Sequence, residues 1–158
     1  TNKLLKKHTD LYAMLVGGVF EGQEWRKKEL EEYISNQENS DRIILSDYRV
    51  DTKNIHNLFD IFVLPSTEPD PLPTVVLESM ATGKPIVAYK HGGVCEMVKE
   101  NFNGLFAIPR DVEELSNKIE QMLESDYKKF GKNSYERQKE FFSLQSYIKN
   151  FEQLYDEI

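Results

Sequence analysis

The sequence predicts an α/β fold, a parallel sheet with helices on both of its sides. Three observations carry that prediction. Short apolar runs at residues 11–16, 42–45, 61–64, 85–89 and 105–108 recur with helix-length segments between them, the spacing of βα units in a parallel sheet. The runs are nearly continuous in apolar character, as expected of strands buried on both faces. Finally, residues 64–93, LPSTEPDPLPTVVLESMATGKPIVAYKHGG, read as the end of a strand, a loop, a helix and a second strand, which is one βαβ unit.

A chain of 158 residues is read as one domain, 1–158, large enough to bury a real core. With 27 acidic against 20 basic residues it carries a formal charge of −7, which argues against a nucleic-acid backbone as partner but not against a nucleotide, which needs only a local positive field. Cys95 is the single cysteine; an internal disulfide is excluded and a reducing compartment suits it. No apolar run reaches membrane-spanning length, and no signal-peptide pattern opens the chain. The chain opens on Thr1 with a helix already under way, and is read as a piece of something longer.

Residues 1–9 read as the last turns of a helix, with Leu4 and Leu5 apolar and three lysines near its C-terminus. Residues 11–16 form a buried strand that ends at the Gly17-Gly18 turn. Gly17, Gly18 and Gly22 lack the Gly-x-Gly-x-x-Gly spacing of a dinucleotide fingerprint, so no nicotinamide or flavin site is assigned there. Residues 23–36 form a charged helix with Trp25, Leu30, Tyr33 and Ile34 as its inner stripe. The strand at 42–45 delivers the loop Ser46-Asp47-Tyr48-Arg49 to its C-terminal end, the side on which open parallel sheets bind ligands. Residues 51–59 make a short helix, and Asp60 introduces the strand at 61–64.

Prolines at 65, 69, 71 and 73 make the next loop too stiff and too poor in donors to be helix interior. Pro73 suits a first helical turn, residues 74–82 continue it, and Gly83 stops it. Val76 with Met80, and Leu77 with Ala81, stand four apart and are expected to face the sheet. Thr74 and Glu78 share another face, and Asp70 lies just ahead of the helix N-terminus, where anions are favoured. A single acid there would only complement the helix dipole. The functional reading rests on the pair, Asp70 and Glu78, with seven residues between them and a buried strand on either side.

Gly92-Gly93 turns the chain, and residues 94–100 give a helical turn or two with Glu96 near the start. Asn103-Gly104 is a turn before the strand at 105–108, which Pro109 ends. Asp111 stands in the N-cap place of a capping box, followed by the stripe Val112, Leu115, Ile119, Met122 and Leu123, read as core. Gly131 is read as a break in the polar stretch that follows. Leu144, Tyr147, Ile148, Phe151, Leu154, Tyr155 and Ile158 form a final apolar stripe, on a helix expected to be covered by something else.

Other chemistries find little support. His8, His56 and His91 have no metal-ligand spacing; His8 and His56 are read as surface residues, and only His91 lies near the expected cleft. Cys95 has no cationic neighbour in sequence that would activate it. Ser66 has no Gly-x-Ser-x-Gly elbow around it, and no Walker loop is present.

Residues 70–88, DPLPTVVLESMATGKPIVA, resemble the donor-binding motif of retaining group-1 glycosyltransferases with the GT-B fold, in which two glutamates flank seven residues. Pro65-Ser66, the Ala-x-Gly-x-Pro of 81–85 and the Gly-Gly-x-x-Glu of 92–96 match the surrounding pattern. The likeness runs from about Leu11 to Met122, and departs from the motif at Asp70, one methylene shorter than the usual glutamate. It implies the Rossmann-like C-terminal half of a GT-B fold, ending in a long C-terminal helix, and a nucleotide-diphosphate sugar as donor, a UDP-sugar by default. It further implies that Glu78 binds the ribose hydroxyls and Asp70 the sugar. The N–H groups of Leu72, Thr74 and Val75 would meet the diphosphate or sugar, beside Gly92 and Gly93, and Tyr48 and Arg49 would hold the nucleobase. No residue of the chain is assigned a catalytic role. No cofactor and no metal are expected, the diphosphate charge being met by basic residues on a loop upstream of Thr1.

The same resemblance implies a glycan or lipid-linked acceptor bound by an N-terminal half, towards which the last helix would pack. It implies a role in polysaccharide biosynthesis and a cytoplasmic location, peripheral to the membrane in the longer protein; the chain alone is expected to be inactive. Two rival readings stay open: a sugar-nucleotide-binding module without activity, and an unrelated flavodoxin-like binding domain.

Overall fold

The computed structural model describes residues 1–157, so Ile158, the last member of the final stripe, lies outside the described residues. The chain divides into two compact units, Thr1–Asp51 and Thr52–Ile158, and each is taken by itself.

In the first unit α1 (Asn2–Lys7) precedes β1 (Ala13–Val16), α2 (Glu24–Ser35) and β2 (Ile43–Ser46). β1 and β2 pair in parallel from Ala13 opposite Ile43 to Val16 opposite Ser46. Arg42 does not open β2 as expected but closes a 3₁₀ turn, Ser40–Arg42. Its guanidinium donates to the carbonyls of Leu5 and His8 at 2.6 Å each, to that of Leu11 at 3.3 Å, and to Asn39 Oδ1 at 2.6 Å. The carbonyls that α1 leaves unpaired at its C-terminal end thereby gain a cationic donor. Along α2, Leu30 and Ile34 are half-buried, but Trp25 and Tyr33 are exposed. The inner stripe is therefore Lys27-Leu30-Ile34, at spacings of three and four, and the Trp25 ring instead carries the Arg26 guanidinium at 5.1 Å.

The second unit runs α3 (Thr52–Leu58), β3 (Phe62–Leu64), α4 (Thr74–Ala81), β4 (Ile86–Tyr89), α5 (Val94–Met97), β5 (Gly104–Ala107), α6 (Val112–Glu124), α7 (Tyr127–Phe141) and α8 (Leu144–Asp156). Its sheet is parallel, in the order β3-β4-β5. All four residues of β4 are buried. Ile86 and Ala88 pack with Val76 and Met80 of α4 and Val94 of α5, while Val87 and Tyr89 pack with Leu115 and Met122 of α6. The period-two alternation of a strand thus supplies two cores from one run.

Two helix faces of this unit depart from expectation. On α4 the buried positions are Val76, Ser79 and Met80, and Ala81 is exposed. On α6, Val112 is exposed and Ser116 is buried. Asp111 does cap α6, accepting the Glu114 N–H at 2.8 Å, but Glu114 reaches past the cap to accept from Ile108 N–H at 2.7 Å. The long C-terminal helical arm is α7 and α8 in series. Ser143 caps α8 by accepting the Ser146 N–H, and the six described members of the final stripe are exposed. Among the described residues no helix is long and apolar enough to cross a membrane.

Gly131 does not break the chain: it is a buried residue inside α7. A β-carbon there would collide with the carbonyl oxygen of Gly83, which sits just past α4 at φ +70°. The glycine is what lets the two backbones touch. Gly131→Ala therefore sets two effects against each other. Helix propensity alone would raise stability by about 0.5–1 kcal/mol, and overpacking lowers it by about 1–3 kcal/mol. Urea unfolding of the variant is expected to show the loss; a variant more stable than the parent would refute the contact.

Candidate functional site

The loop ahead of α4 is seated on the turn that follows β4. Gly93 N–H donates to the Asp70 carbonyl at 2.8 Å. A β-carbon on Gly92 or Gly93 would run into the backbone of Asp70 or Pro71, and Gly92 has φ +65°. Both glycines are thus demanded by close approach, and Gly92 by its left-handed conformation as well. Pro73 occupies the N-cap rather than the first turn, and its carbonyl accepts the Val76 N–H at 2.9 Å. Thr74 and Val75 are the first residues of α4, where N–H groups have no acceptor within the helix and the dipole is positive.

Asp70 turns one oxygen back on its own loop: Oδ1 accepts the Leu72 N–H at 2.9 Å, an Asx turn. The Leu72 N–H is therefore already spent, unlike the free donor expected of it. Asp70 also lines a small recess with Ser66, Pro73, Tyr89 and His91. There His91 Nε2 lies 2.8 Å from the Ser66 carbonyl; a carbonyl only accepts, so Nε2 carries a proton. Glu68, beside the recess, pairs with Arg110.

Glu78 stands one turn inside α4 with a half-exposed side chain, and behind it lies a residue expected on the surface. His56 of α3 is only 3% exposed. Its Nε2 is 3.4 Å from Glu78 Oε2 and its Nδ1 is 2.7 Å from Ser79 Oγ. Its ring meets those of Phe59 and Phe62 at centroid distances of 5.9 and 5.5 Å. Burial holds the imidazole pKa below the usual histidine value; Glu78 opposes that shift and Lys84 adds to it. The sequence did hold a signal, since Ile55, His56 and Phe59 lie on one face of the short helix predicted there.

In the first unit, Tyr48 packs its β-carbon against Gly18 and leaves most of its side chain exposed. Arg49 is held by Asp51 through two parallel bonds of 2.8 Å, Nε to Oδ1 and Nη2 to Oδ2, which raise its pKa. Beside the Gly17-Gly18 turn, Lys27 is paired with Asp47 at 2.5 Å. The structure thus joins Asp70, His91, Gly92 and Gly93 around one loop, puts Glu78 on the helix that follows, and places Tyr48 and Arg49 in the other unit. Among the described residues no group of three His, Cys, Asp or Glu side chains is arranged to hold a metal.

The profile of the family described as "Glycosyl transferases group 1" matches residues 2–137. The chain is 26% identical to Anabaena HepE, solved in complex with UDP. The TM-score is 0.88 over 99% of this chain and 44% of that one, and HepE has also been solved with UDP-glucose. The C-terminal domain of the Francisella tularensis group 1 protein LpcC is 25% identical, with a TM-score of 0.78 over 91% of this chain and 76% of that one. In Campylobacter jejuni, N,N'-diacetylbacillosaminyl-diphospho-undecaprenol alpha-1,3-N-acetylgalactosaminyltransferase is 40% identical over 67 residues, 42% of this chain and 18% of that protein. The chain thus spans under half the length of HepE and of the Campylobacter enzyme.

The buried imidazole makes stability depend on pH with a definite sign. An unfolded histidine titrates near 6.5, and His56 in the fold titrates lower. Below about 6.5 the unfolded chain takes up a proton that the folded chain refuses, so stability is lost as pH falls from there through the folded value. Urea unfolding at pH 7.5 and 5.5 should show a smaller loss for His56→Gln than for the parent. Equal losses would show that His56 titrates alike in both states.

Proposed function

Because the chain belongs to the group 1 glycosyl transferases, we propose that it is the donor-binding part of a retaining glycosyltransferase. The donor is a nucleotide-diphosphate sugar, taken as a UDP-sugar because HepE binds UDP and UDP-glucose. The reaction moves the sugar to a hydroxyl of a glycan or lipid-linked acceptor: the bond from the anomeric carbon to the diphosphate breaks, one to the acceptor oxygen forms, and UDP and the acceptor proton leave.

One observation carries the reading. Two carboxylates flank the N-terminus of α4, and the loop bearing the first is pinned to Gly92-Gly93 by the 2.8 Å bond from Gly93 N–H to the Asp70 carbonyl. In this reading Glu78 accepts from the ribose hydroxyls. Asp70, which keeps acceptor capacity beyond its Leu72 bond, accepts from the sugar hydroxyls beside His91. The N–H groups of Thr74 and Val75 meet the diphosphate, where the helix dipole favours negative charge. The chemistry is metal-independent in this reading, with basic residues and main-chain N–H groups meeting the charge of the leaving diphosphate. The place of action is the cytoplasm or its membrane surface, which suits the single exposed thiol of Cys95.

The two acids are separable by calorimetry. Glu78→Gln is expected to weaken UDP and UDP-glucose alike, whereas Asp70→Asn weakens UDP-glucose and spares UDP. A hydrogen bond lost from a charged group costs roughly 1.5–3 kcal/mol, about ten- to a hundredfold in dissociation constant. If both acids only complement the helix dipole, neither affinity changes. Equal losses on UDP from the two variants would refute the division of roles.

A further inference from the structure

Among the buried polar groups that the donor contacts proposed above do not use is the imidazole of His56, between Glu78 and Ser79. We propose that His56 is a positioning residue: its Nε2–H restrains the Glu78 carboxylate in the orientation that receives the two ribose hydroxyls, and the Ser79 hydroxyl fixes the imidazole tautomer. The proposal rests on the assignment of the ribose to Glu78.

Hydrogen inventory selects the arrangement. An ionised Glu78 can only accept, so the nitrogen facing it at 3.4 Å must carry the proton. A neutral imidazole has one N–H, which makes Nδ1 an acceptor, and the Ser79 hydroxyl at 2.7 Å must then donate to it. The other tautomer would set a nitrogen lone pair against the carboxylate. Packing holds the ring in this pose. Phe59 meets it edge to face at 87° and Phe62 at 57°, and His56 is 3% exposed, so the ring is packed in place.

Glu78 needs such a restraint. It projects from the middle of α4 with 43% of its side chain exposed, and a long acidic side chain loses rotamer freedom when a ligand immobilises it. A neighbour that narrows its rotamers beforehand removes part of that cost. At 3.4 Å the contact is long for an N–H···O bond. It therefore biases the carboxylate without saturating it, and both oxygens keep capacity for vicinal hydroxyls. His56 stands on α3 and Ser79 on α4, so the packing of these two helices sets the aim of Glu78.

The test compares UDP with 2′,3′-dideoxy-UDP by calorimetry. The parent should prefer UDP. The double variant His56→Phe/Ser79→Ala, which keeps an aromatic ring and leaves no orphaned hydroxyl, should lose roughly three- to tenfold in UDP affinity and nothing on the dideoxy analogue. His56→Gln, with an amide N–H near the place of Nε2, should restore most of the preference. If Glu78→Gln abolishes the preference while the folded double variant retains it, the positioning role is overturned and the ribose assignment stands. If Glu78→Gln retains it, or the parent shows none, the ribose assignment fails and the proposal falls with it. Nitrogen-15 spectra of the parent provide a check that needs no variant. A neutral His56 protonated at Nε2 at pH 7 supports the proposal, and an imidazolium or an Nδ1–H tautomer overturns it.

Discussion

The burial of β4 on both faces is the constraint from which the second unit follows. Four consecutive residues from Ile86 to Tyr89 are shielded from water, and a strand can be shielded so fully only with neighbours at both edges and helices on both faces. β3 and β5 take the edges, α4 and α5 one face, α6 the other. Because all three strands are parallel, their C-terminal ends lie on one side, and the loops that leave β3 and β4 emerge together. The loop bearing Asp70 and the Gly92-Gly93 turn are those two loops. Their meeting, through Gly93 N–H and the Asp70 carbonyl, is a consequence of strand order rather than of any affinity between them.

What could be read without coordinates was whatever local chemistry decides. Strand positions, the Pro-rich loop, the stop at Gly83 and the cap at Asp111 depend on a few adjacent residues. So does the acid pair, one acid in the loop just ahead of α4 and Glu78 one turn inside it. The misses share a cause of another kind. Gly131 looks like a helix breaker until Gly83 is found against it. Arg42 looks like the start of a strand until the carbonyls of α1 are found within its reach. Trp25 and Tyr33 have the apolar character of an inner stripe, yet the partner surface lies one step around the helix, at Leu30 and Ile34. In each case a contact distant in sequence decides the outcome, and no periodicity encodes it.

His56 shows a milder form of that limit inside the candidate site, because Ile55 and Phe59 share its helix face but nothing local names its partners. A histidine on a short polar helix is ordinarily a surface residue, and its sequence neighbours Asn54 and Asn57 encourage that reading. Only the pairing of α3 with α4 brings Glu78 and Ser79 to its two nitrogens. Ser79 follows the same rule: the apolar Ala81 reads as sheet-facing in the sequence, yet Ala81 is exposed and Ser79 is buried. A small hydroxyl that donates to a buried imidazole is better satisfied inside than out, so polarity alone misjudged which of the two would be buried.

The charge of the chain bears on how such a site can take an anionic donor. A formal charge of −7 would repel a nucleotide diphosphate at long range, and the two acids of the motif add to that locally. Screening confines the net-charge term, since exposed charges further apart than about 8–10 Å hardly interact at physiological salt. Within that distance the N-terminal end of α4 matters more. Its first N–H groups have no acceptors in the helix, and its dipole end is positive. Asp70 directs one oxygen at the Leu72 N–H, and Glu78 stands against a neutral imidazole on the following turn. Asp70 is thus engaged by a donor to the side of the helix start, and Glu78 faces a ring nitrogen 3.4 Å away. In the proposed reading that leaves the Thr74 and Val75 N–H groups for phosphate oxygens, and the carboxylates for hydroxyls, which welcome an acceptor where a phosphate would not.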